Sequence, residues 1–358
     1  MRSGRLWLSL SISVLLLGLL VWRADIGGTL RSLWEANYLF VIPGLAFYFA
    51  AVLFRTIRWH LLLLPLCNAT TRRLFPVVVI GYMANNLLPM RLGELVRSYY
   101  VGERENVSKS AALATIAVER VVDGVTLLFV LVAASIFLPV VGLLQDLGRD
   151  IGIPWPVLMA LAIVPFVSAL GLLTLLAYRP GWLLLWLGPL LQRMPGGTAG
   201  RFTGLVDLFV TGLGVLRQPR RVAAIFALSL PVWLAEAAMY YTIALSFGLQ
   251  ESLGGAGGMA ASMLAVTATS NLATSLPSVQ GGIGPFEIAA TATLVVLGTA
   301  TDVAAAYALV LHAALLVPVT LLGLIYLWMD KRSLAQMARI GETTLGWFGR
   351  GPEKEEVA

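Results

Sequence analysis

The stretch Asn85-Asn86-Leu87-Leu88-Pro89-Met90-Arg91-Leu92-Gly93-Glu94, with Glu119-Arg120-Val121-Val122-Asp123 a short way on, decides how this chain is read. A break bearing Pro and Gly carries Arg and Glu between strongly apolar runs, and the next apolar run holds Glu, Arg and Asp of its own. Charges inside membrane spans are expensive and rarely face lipid, so they mark a site. Broken backbone at membrane depth is tolerated only where protein or a watery cavity covers it.

Composition supplies the membrane. Of 358 residues, 58% are hydrophobic and only 12% charged, against roughly a quarter charged in a soluble domain. The apolar runs are continuous, unlike the alternating segments of about ten residues that build a barrel. The expected class is an all-α polytopic membrane protein. Cys67 is the single cysteine, so no internal disulfide forms, and no Cys/His cluster suggests a metal. No cofactor and no nucleic-acid partner is indicated. The formal charge is +6, and lysine occurs only at 109, 331 and 354. Arginine grips phosphate bidentately where lysine is a point charge. Basic cytoplasmic loops account for the same excess.

Arg2 and Arg5 precede an apolar run from Leu6 to Trp22, read as an uncleaved first span. Gly27–Asn37 is a short mixed segment, fit for an interfacial turn of helix. Tyr38–Arg58 is the second span, ending in the cationic series Arg55, Arg58, Arg72 and Arg73. Leu74–Pro89 is short for a span, which takes about 20 residues. Polar sequence follows from Tyr99 to Lys109. Ser108 then caps a helix running to about Leu138. Pro156–Ala177, Val222–Phe247 and Thr301–Met329 are further spans, and the Arg-rich segment 179–221 reads as amphipathic helices on the membrane surface. Gly254–Leu276 is apolar but broken by Pro277 to Glu287. Ile288–Gly298 is too short to cross.

Basic loops mark the cytoplasmic side. The N-terminus, the 55–73 loop, the 179–221 segment and the tail are basic, which places both termini inside an inner, cytoplasmic membrane. This path needs 74–101 and 254–298 each to enter and leave on one side. The expectation is about six full spans plus two opposed re-entrant helical hairpins. Eight or more short full spans is the rival that charge alone leaves open. The hairpins look like copies, since Glu287 follows Glu94, Thr301 follows Ser108 and His312 follows Glu119 at one offset of 193 residues. Ser108 and Thr301 both suit N-caps. The copies would form an inverted repeat, about 1–138 and 155–329, in one domain spanning 1–329 with a cytoplasmic tail at 330–358. Such repeats place binding sites near the midplane at broken helices.

The candidate site residues follow. Arg91 lies at a hairpin tip, where free helix-end N–H groups bind anions; an arginine snorkelling to the interface fits as well. Glu94 can pair with Arg91 or Arg97, or face a cationic headgroup. Glu119 and Asp123 share a helix face, and Arg120 points away toward a partner on another helix. The three fit either a substrate site or an ion-pair network holding the hairpin. Glu287 and His312 hold the equivalent places in the second copy, and His312 can titrate. Asn85, Asn86 and Asn271 can bond unwound backbone or substrate. Gly281, Gly282 and Gly284 serve sharp turning. Glu236 is a partner for a hairpin arginine. No nucleophile–base pair is evident, so no enzyme is expected.

Three motifs resemble one family. Asn-x-x-x-Pro-x-Arg-x-Gly-Glu at 85–94, Glu-Arg-x-x-Asp at 119–123 and Gly-Gly-x-Gly-x-x-Glu at 281–287 are similar to the lysylphosphatidylglycerol synthase transmembrane-domain family, also called flippase-like domain proteins. The resemblance runs roughly from the first span to Met329. It implies a relation to the membrane half of an enzyme that makes aminoacylated phosphatidylglycerol and moves it between leaflets, or to stand-alone proteins of lipid or lipid-linked glycan handling. Two departures matter. No room follows Met329 for a soluble aminoacyl-transferase domain, which argues against synthesis of lysyl lipid. Gln280 stands where relatives often place proline.

The expectation is therefore a flippase for a phospholipid or glycolipid headgroup. Its partners would be an anionic or aminoacylated phospholipid or a lipid-linked glycan. Arg91, Arg97 and Arg120 would meet phosphate, and Glu94, Glu119, Asp123 and Glu287 would balance them. A membrane enzyme acting on a lipid-linked substrate and an accessory subunit of a lipid synthase are the alternatives. Faces of small residues are compatible with a homo-oligomer.

Overall fold

The computed structural model describes residues 25–88, 92–138, 145, 149, 152–179, 181–182, 198–274 and 280–330. Among them it is helical, without strands. The α-helices in chain order are α1 (Ile26–Glu35), α2 (Val41–Leu63), α3 (Thr71–Leu87), α4 (Gly93–Glu105), α5 (Lys109–Ala134) and α6 (Trp155–Tyr178). They continue with α7 (Thr198–Gly212), α8 (Pro219–Ser246), α9 (Gly255–Ala273), α10 (Pro285–Val296) and α11 (Thr301–Met329).

Four stretches are long and apolar enough to cross a membrane: Tyr38–Leu63, Trp155–Tyr178, Pro219–Ser246 and Thr301–Met329. The protein is an integral, all-helical, multi-pass membrane protein. Helix α5 has 26 residues, about 39 Å at the helical rise, but carries Glu119, Arg120 and Asp123. The expected first span at 6–22 lies outside the described residues, as do Pro89–Arg91, 183–197 and the tail beyond Asp330.

Local chemistry explains most boundaries. Asp25 caps α1 by accepting from the Gly27 N–H at 3.0 Å, and Ile26, Leu30 and Trp34 form one exposed apolar stripe, as an interfacial helix requires. Ser108 caps α5 as expected, accepting from Ala111 N. Thr301 does not cap α11. Ala300 holds that place without a side-chain bond, because Gly298 at φ 101° already turns the chain out of α10. The stretch from Tyr99 is not a polar connector. It is the second half of α4, with Tyr100 and Val101 buried and Glu103 and Arg104 exposed, and the chain reverses at Asn106, whose φ of 54° is a left-handed helix stop. The basic segment after α6 is more buried than a surface helix. Val206 and Val210 of α7, with Leu213, Val215 and Leu216 of the following 3-10 turn, are all buried. Helix α7 packs on α5, where the absence of a side chain at Gly212 admits the Ala111 carbonyl.

The packing is reciprocal. Helix α2 lies along α8 at the centre. Helices α3 and α4 form one hairpin, and α9 and α10 form the other. The first arm of each hairpin packs on the long helix that follows the other: α3 on α11, and α9 on α5. Each second arm packs on its own following helix, α4 on α5 and α10 on α11. Helix α6 touches chiefly α5 and the 213–217 turn, and most of its length is exposed.

Candidate functional site

The first charged cluster is built from α2, α4 and α5. Arg97 grips Glu119 with both terminal nitrogens, at 2.9 and 3.3 Å. Its guanidinium also lies over the Trp59 ring, 4.2 Å from the centroid. Arg58 bonds Asp123 at 2.6 Å and Ser229 at 2.8 Å, and stands 3.5 Å from Glu119. Arg120 bonds Glu119 at 2.8 Å and reaches Asp123 at 3.3 Å. Arg58, Arg97 and Glu119 are buried, where an uncompensated charge would be severely destabilising. Three guanidiniums thus meet two carboxylates, leaving one surplus positive charge. The Arg120 side chain is 41% exposed and the other two are at most 3% exposed, so the surplus is presented through Arg120.

The hairpin beside this cluster is tightly closed. A Cβ on Gly93 would sit 2.1 Å from the Gly81 carbonyl, and one on Gly81 would sit 2.2 Å from Arg97 Cγ. Glycine at both places lets α4 meet α3 and passes the Arg97 stem between them. Asn85 ties the tip, accepting from Gly93 N at 2.8 Å and donating to Glu94 at 3.3 Å.

The second hairpin carries a different cluster. His312 Nδ1 and Glu287 Oε1 share a hydrogen bond of 2.6 Å, and His312 Nε2 lies 3.0 Å from the Gly281 carbonyl. Glu287 Oε2 accepts from Gly284 N at 2.7 Å. Gly281, Gly282 and Gly284 have φ of 71°, 80° and 100°, a left-handed tip that suits glycine. Between the hairpins, Glu236 pairs with Arg55 and accepts from Asn271 Nδ2 at 2.9 Å.

These clusters surround a cavity of about 520 Å3 lined by residues of α2, α3, α5, α6, α8, α9 and α11 as well as both hairpin tips. Asn85, Glu94, Arg120, Asp123, Asn271 and His312 line it, together with Arg55 and Glu236. Glu119 and Arg97 lie behind the lining, bonded to each other, and Glu287 reaches it through His312. Arg91 lies outside the described residues. Tyr82 Oη, Arg120 Nε and Trp233 Nε1 belong to lining residues and have no hydrogen-bond partner among the described residues. These atoms are themselves buried and do not open onto the cavity. Leu127, Phe166, Leu272, Leu316 and Val319 supply its apolar walls.

Four sequence expectations change. Arg120 pairs within its own helix, because Glu119 and Asp123 are both in reach, at one and three residues' separation. Glu94 bonds Asn85 and not Arg97, which is taken by Glu119, while its other expected partner, Arg91, lies outside the described residues. Glu236 meets Arg55 of α2 and not a hairpin arginine. The expectation of loop cations at Arg55 and Arg58, closing a span at 58, also changes. Helix α2 runs on to Leu63 and buries both, at 8% and 0% exposure. Their spacing of three residues, one turn apart on an apolar helix, was the available signal.

A family model described as the lysylphosphatidylglycerol synthase TM region matches residues 6–323. The chain is similar to glycosyltransferase AglD of Haloferax volcanii, with 26% identity over 341 residues, which is 88% of this chain and 52% of that protein. It thus spans about half the length of that relative. A UPF0104 membrane protein of Methanothermobacter thermautotrophicus is 23% identical over 328 residues, covering 87% of this chain and 90% of the relative. A second from the same organism is 24% identical over 276 residues, covering 74% and 77%. No solved structure matches the chain significantly.

Proposed function

The chain belongs to the lysylphosphatidylglycerol synthase TM-region family, and from that premise we propose that it moves a lipid headgroup between bilayer leaflets through the cavity between its hairpins. The observation that carries this reading is the cavity itself: about 520 Å3 inside an apolar helical bundle, lined by Arg55, Glu94, Arg120, Asp123 and Glu236. Ligand sites commonly occupy about 300–1,000 Å3, and ionisable groups at membrane depth mark substrate pathways.

In this reading Arg120 takes the lipid phosphate, since it alone of its cluster faces the cavity with charge to spare. Arg91, in the Pro-and-Gly break of the sequence, is a second candidate for the phosphate. Arg97 and Glu119 hold Arg120 and α4 in place. Glu94 and Asp123 receive a cationic group, as on an aminoacylated phospholipid, while an anionic phospholipid or a lipid-linked glycan uses the arginine. Asn85 and Asn271 shape the two ends of the site. The reciprocal packing of the hairpins supports two inverted repeats, about 1–138 and 155–329, with opposed re-entrant hairpins; six full spans and both termini cytoplasmic in the inner membrane are part of this reading on the strength of the basic loops alone. The hydrocarbon tails stay in the bilayer beside α6, whose Phe166 forms part of the apolar wall.

Leaflet accessibility in proteoliposomes tests this. Fluorescent phospholipids and an aminoacylated phosphatidylglycerol are compared for wild type and Arg120→Gln. The expected result is exchange that falls about tenfold or more in the variant, the worth of one hydrogen bond to a charged group, with lipid mass unchanged. Absence of exchange for every lipid overturns the reading. A change in lipid mass favours a membrane enzyme acting on a lipid-linked substrate, the reading suggested by the name of the Haloferax relative.

A further inference from the structure

The His312–Glu287 contacts impose a proton count. The Gly281 carbonyl can only accept, so the 3.0 Å contact to Nε2 requires a hydrogen on that nitrogen. The 2.6 Å contact between Nδ1 and Glu287 Oε1 requires a second hydrogen, on either atom. Glu287 Oε2 is already an acceptor for Gly284 N–H. The pair therefore satisfies both contacts only when it holds two protons, as imidazolium with carboxylate or as imidazole with carboxylic acid. Phe286 stacks on the imidazole at 4.2 Å, an arrangement that favours a cationic ring. Both residues are only 4% exposed, with His312 at the wall of the cavity.

Removing one proton breaks one contact. The remaining hydrogen on Nδ1 stays with the carboxylate as a charge-assisted bond, and Nε2 then turns a lone pair toward the Gly281 oxygen. Gly281 sits in a tip of positive-φ glycines, inside the single 3-10 turn Gln280–Gly282. Gly281, Phe286 and His312 all line the cavity, so release of the tip changes the cavity wall.

We propose that His312 and Glu287 form a proton-binding site whose occupancy fastens the 280–284 tip to α11, making the proton a second ligand that gates the cavity. The step is a simple binding equilibrium, in which a proton from water joins the pair and restores the bond to Gly281. Other ionisable groups surround it. Glu287 comes from α10, Tyr82 from α3, Glu236 and Tyr240 from α8, and Arg55 from α2. Glu94 of α4 and Arg120 and Asp123 of α5 lie around the same cavity. Asp25, beside α1, and Asp302 meet at the start of α11 around Gly28, about three turns away. Arg55, Glu236, Arg120 and Asp123 are held in ion pairs, and Glu94 bonds Asn85. The imidazole bonds to Glu287 and Gly281.

This inference takes the cavity as the substrate site but does not depend on which lipid enters it. Its test reads the proton and the tip without transport. The chain has two histidines, so His60→Gln leaves His312 alone for nitrogen-15 NMR of the imidazole in nanodiscs. In the same protein Cys67→Ser with Ile283→Cys puts a single thiol on the tip. Its maleimide labelling rate across pH 5–9 is divided by that of the unfolded protein, which removes the thiol's own ionisation. The expected result is a rise in labelling of about tenfold, the worth of one hydrogen bond, with the midpoint of imidazole deprotonation. The rise is absent in His312→Gln, whose amide keeps a donor for Gly281. A ring that titrates while labelling stays flat overturns the site, as does a ring that holds one protonation state throughout. Persistence of the rise in His312→Gln also overturns it. A proton-linked tip in a protein that exchanges no lipid would end the lipid-transport reading and leave this site standing; lipid exchange with a rigid tip would do the reverse.

Discussion

The two hairpins solve the same problem with different chemistry. In the first half, Glu119 is held by the guanidiniums of Arg97, Arg120 and Arg58. At the place 193 residues on stands His312, held by a carboxylate and a backbone carbonyl. Guanidiniums stay charged at any physiological pH, while imidazole changes its charge within that range. The first tip is closed by glycines at van der Waals contact and by an asparagine that cannot titrate. The second is closed by bonds that depend on a proton. One half is built as a fixed wall and the other as a movable one, although their helices follow the same order.

The sharpest way to break this comparison is Glu119→Gln. It leaves Arg58 and Arg97 with a neutral amide in a fully buried site. The expected loss is about 3–5 kcal/mol, read as a large fall in the thermal unfolding midpoint in nanodiscs, or as failure to recover folded protein. A loss no greater than that of the matching change in the second half would erase the distinction. Asn85→Ala comes next. It strands the buried Gly93 N–H, with an expected cost of about 1–3 kcal/mol, in the same unfolding measurement and independent of pH between 6 and 8.

Glu287→Gln should be milder, about 1 kcal/mol, since the amide still accepts from Gly284 and can donate to the imidazole. Its signature is instead the loss of any pH response in tip labelling. Arg120→Gln is expected to cost least, under about 1 kcal/mol, because its side chain is partly exposed and its pairs are correspondingly screened. If unfolding shows a loss as large as for Glu119, Arg120 is a structural member of the cluster and not its working face.

Much of this arrangement was legible because it is local. Continuous apolar runs located α6, α8 and α11 almost to the residue, and Pro and Gly located both breaks. The 193-residue offset brought His312 and Glu287 forward as a site before any geometry was known. What was not legible depends on pairs far apart in the chain. Arg58 meets Asp123 across 65 residues and Arg55 meets Glu236 across 181, and nothing in a window around either arginine announces such a partner. Read locally, a cation near the end of an apolar helix belongs to the loop. The continuation of α4 through Glu105 was hidden for a related reason. Its polar residues form the exposed face of a helix whose buried face, Val96, Arg97, Tyr100 and Val101, includes a charge that reads as surface until Glu119 is in place.

The distances between those partners also set an order of events during synthesis. Translation proceeds at about 5–20 residues per second. Arg58 therefore emerges about 3–13 s before Asp123, and Arg55 about 9–36 s before Glu236, from their separations of 65 and 181 residues. Arg55 and Arg58 lie toward the C-terminal end of α2, where long cationic side chains reach the interface, so through that interval both guanidiniums stay near headgroups or water. Helix α2 reaches its final depth only when α8 arrives to lie along it. The N-terminal half is thus not a finished module awaiting a second, and a ribosome stalled before residue 236 would leave α2 riding high in the bilayer.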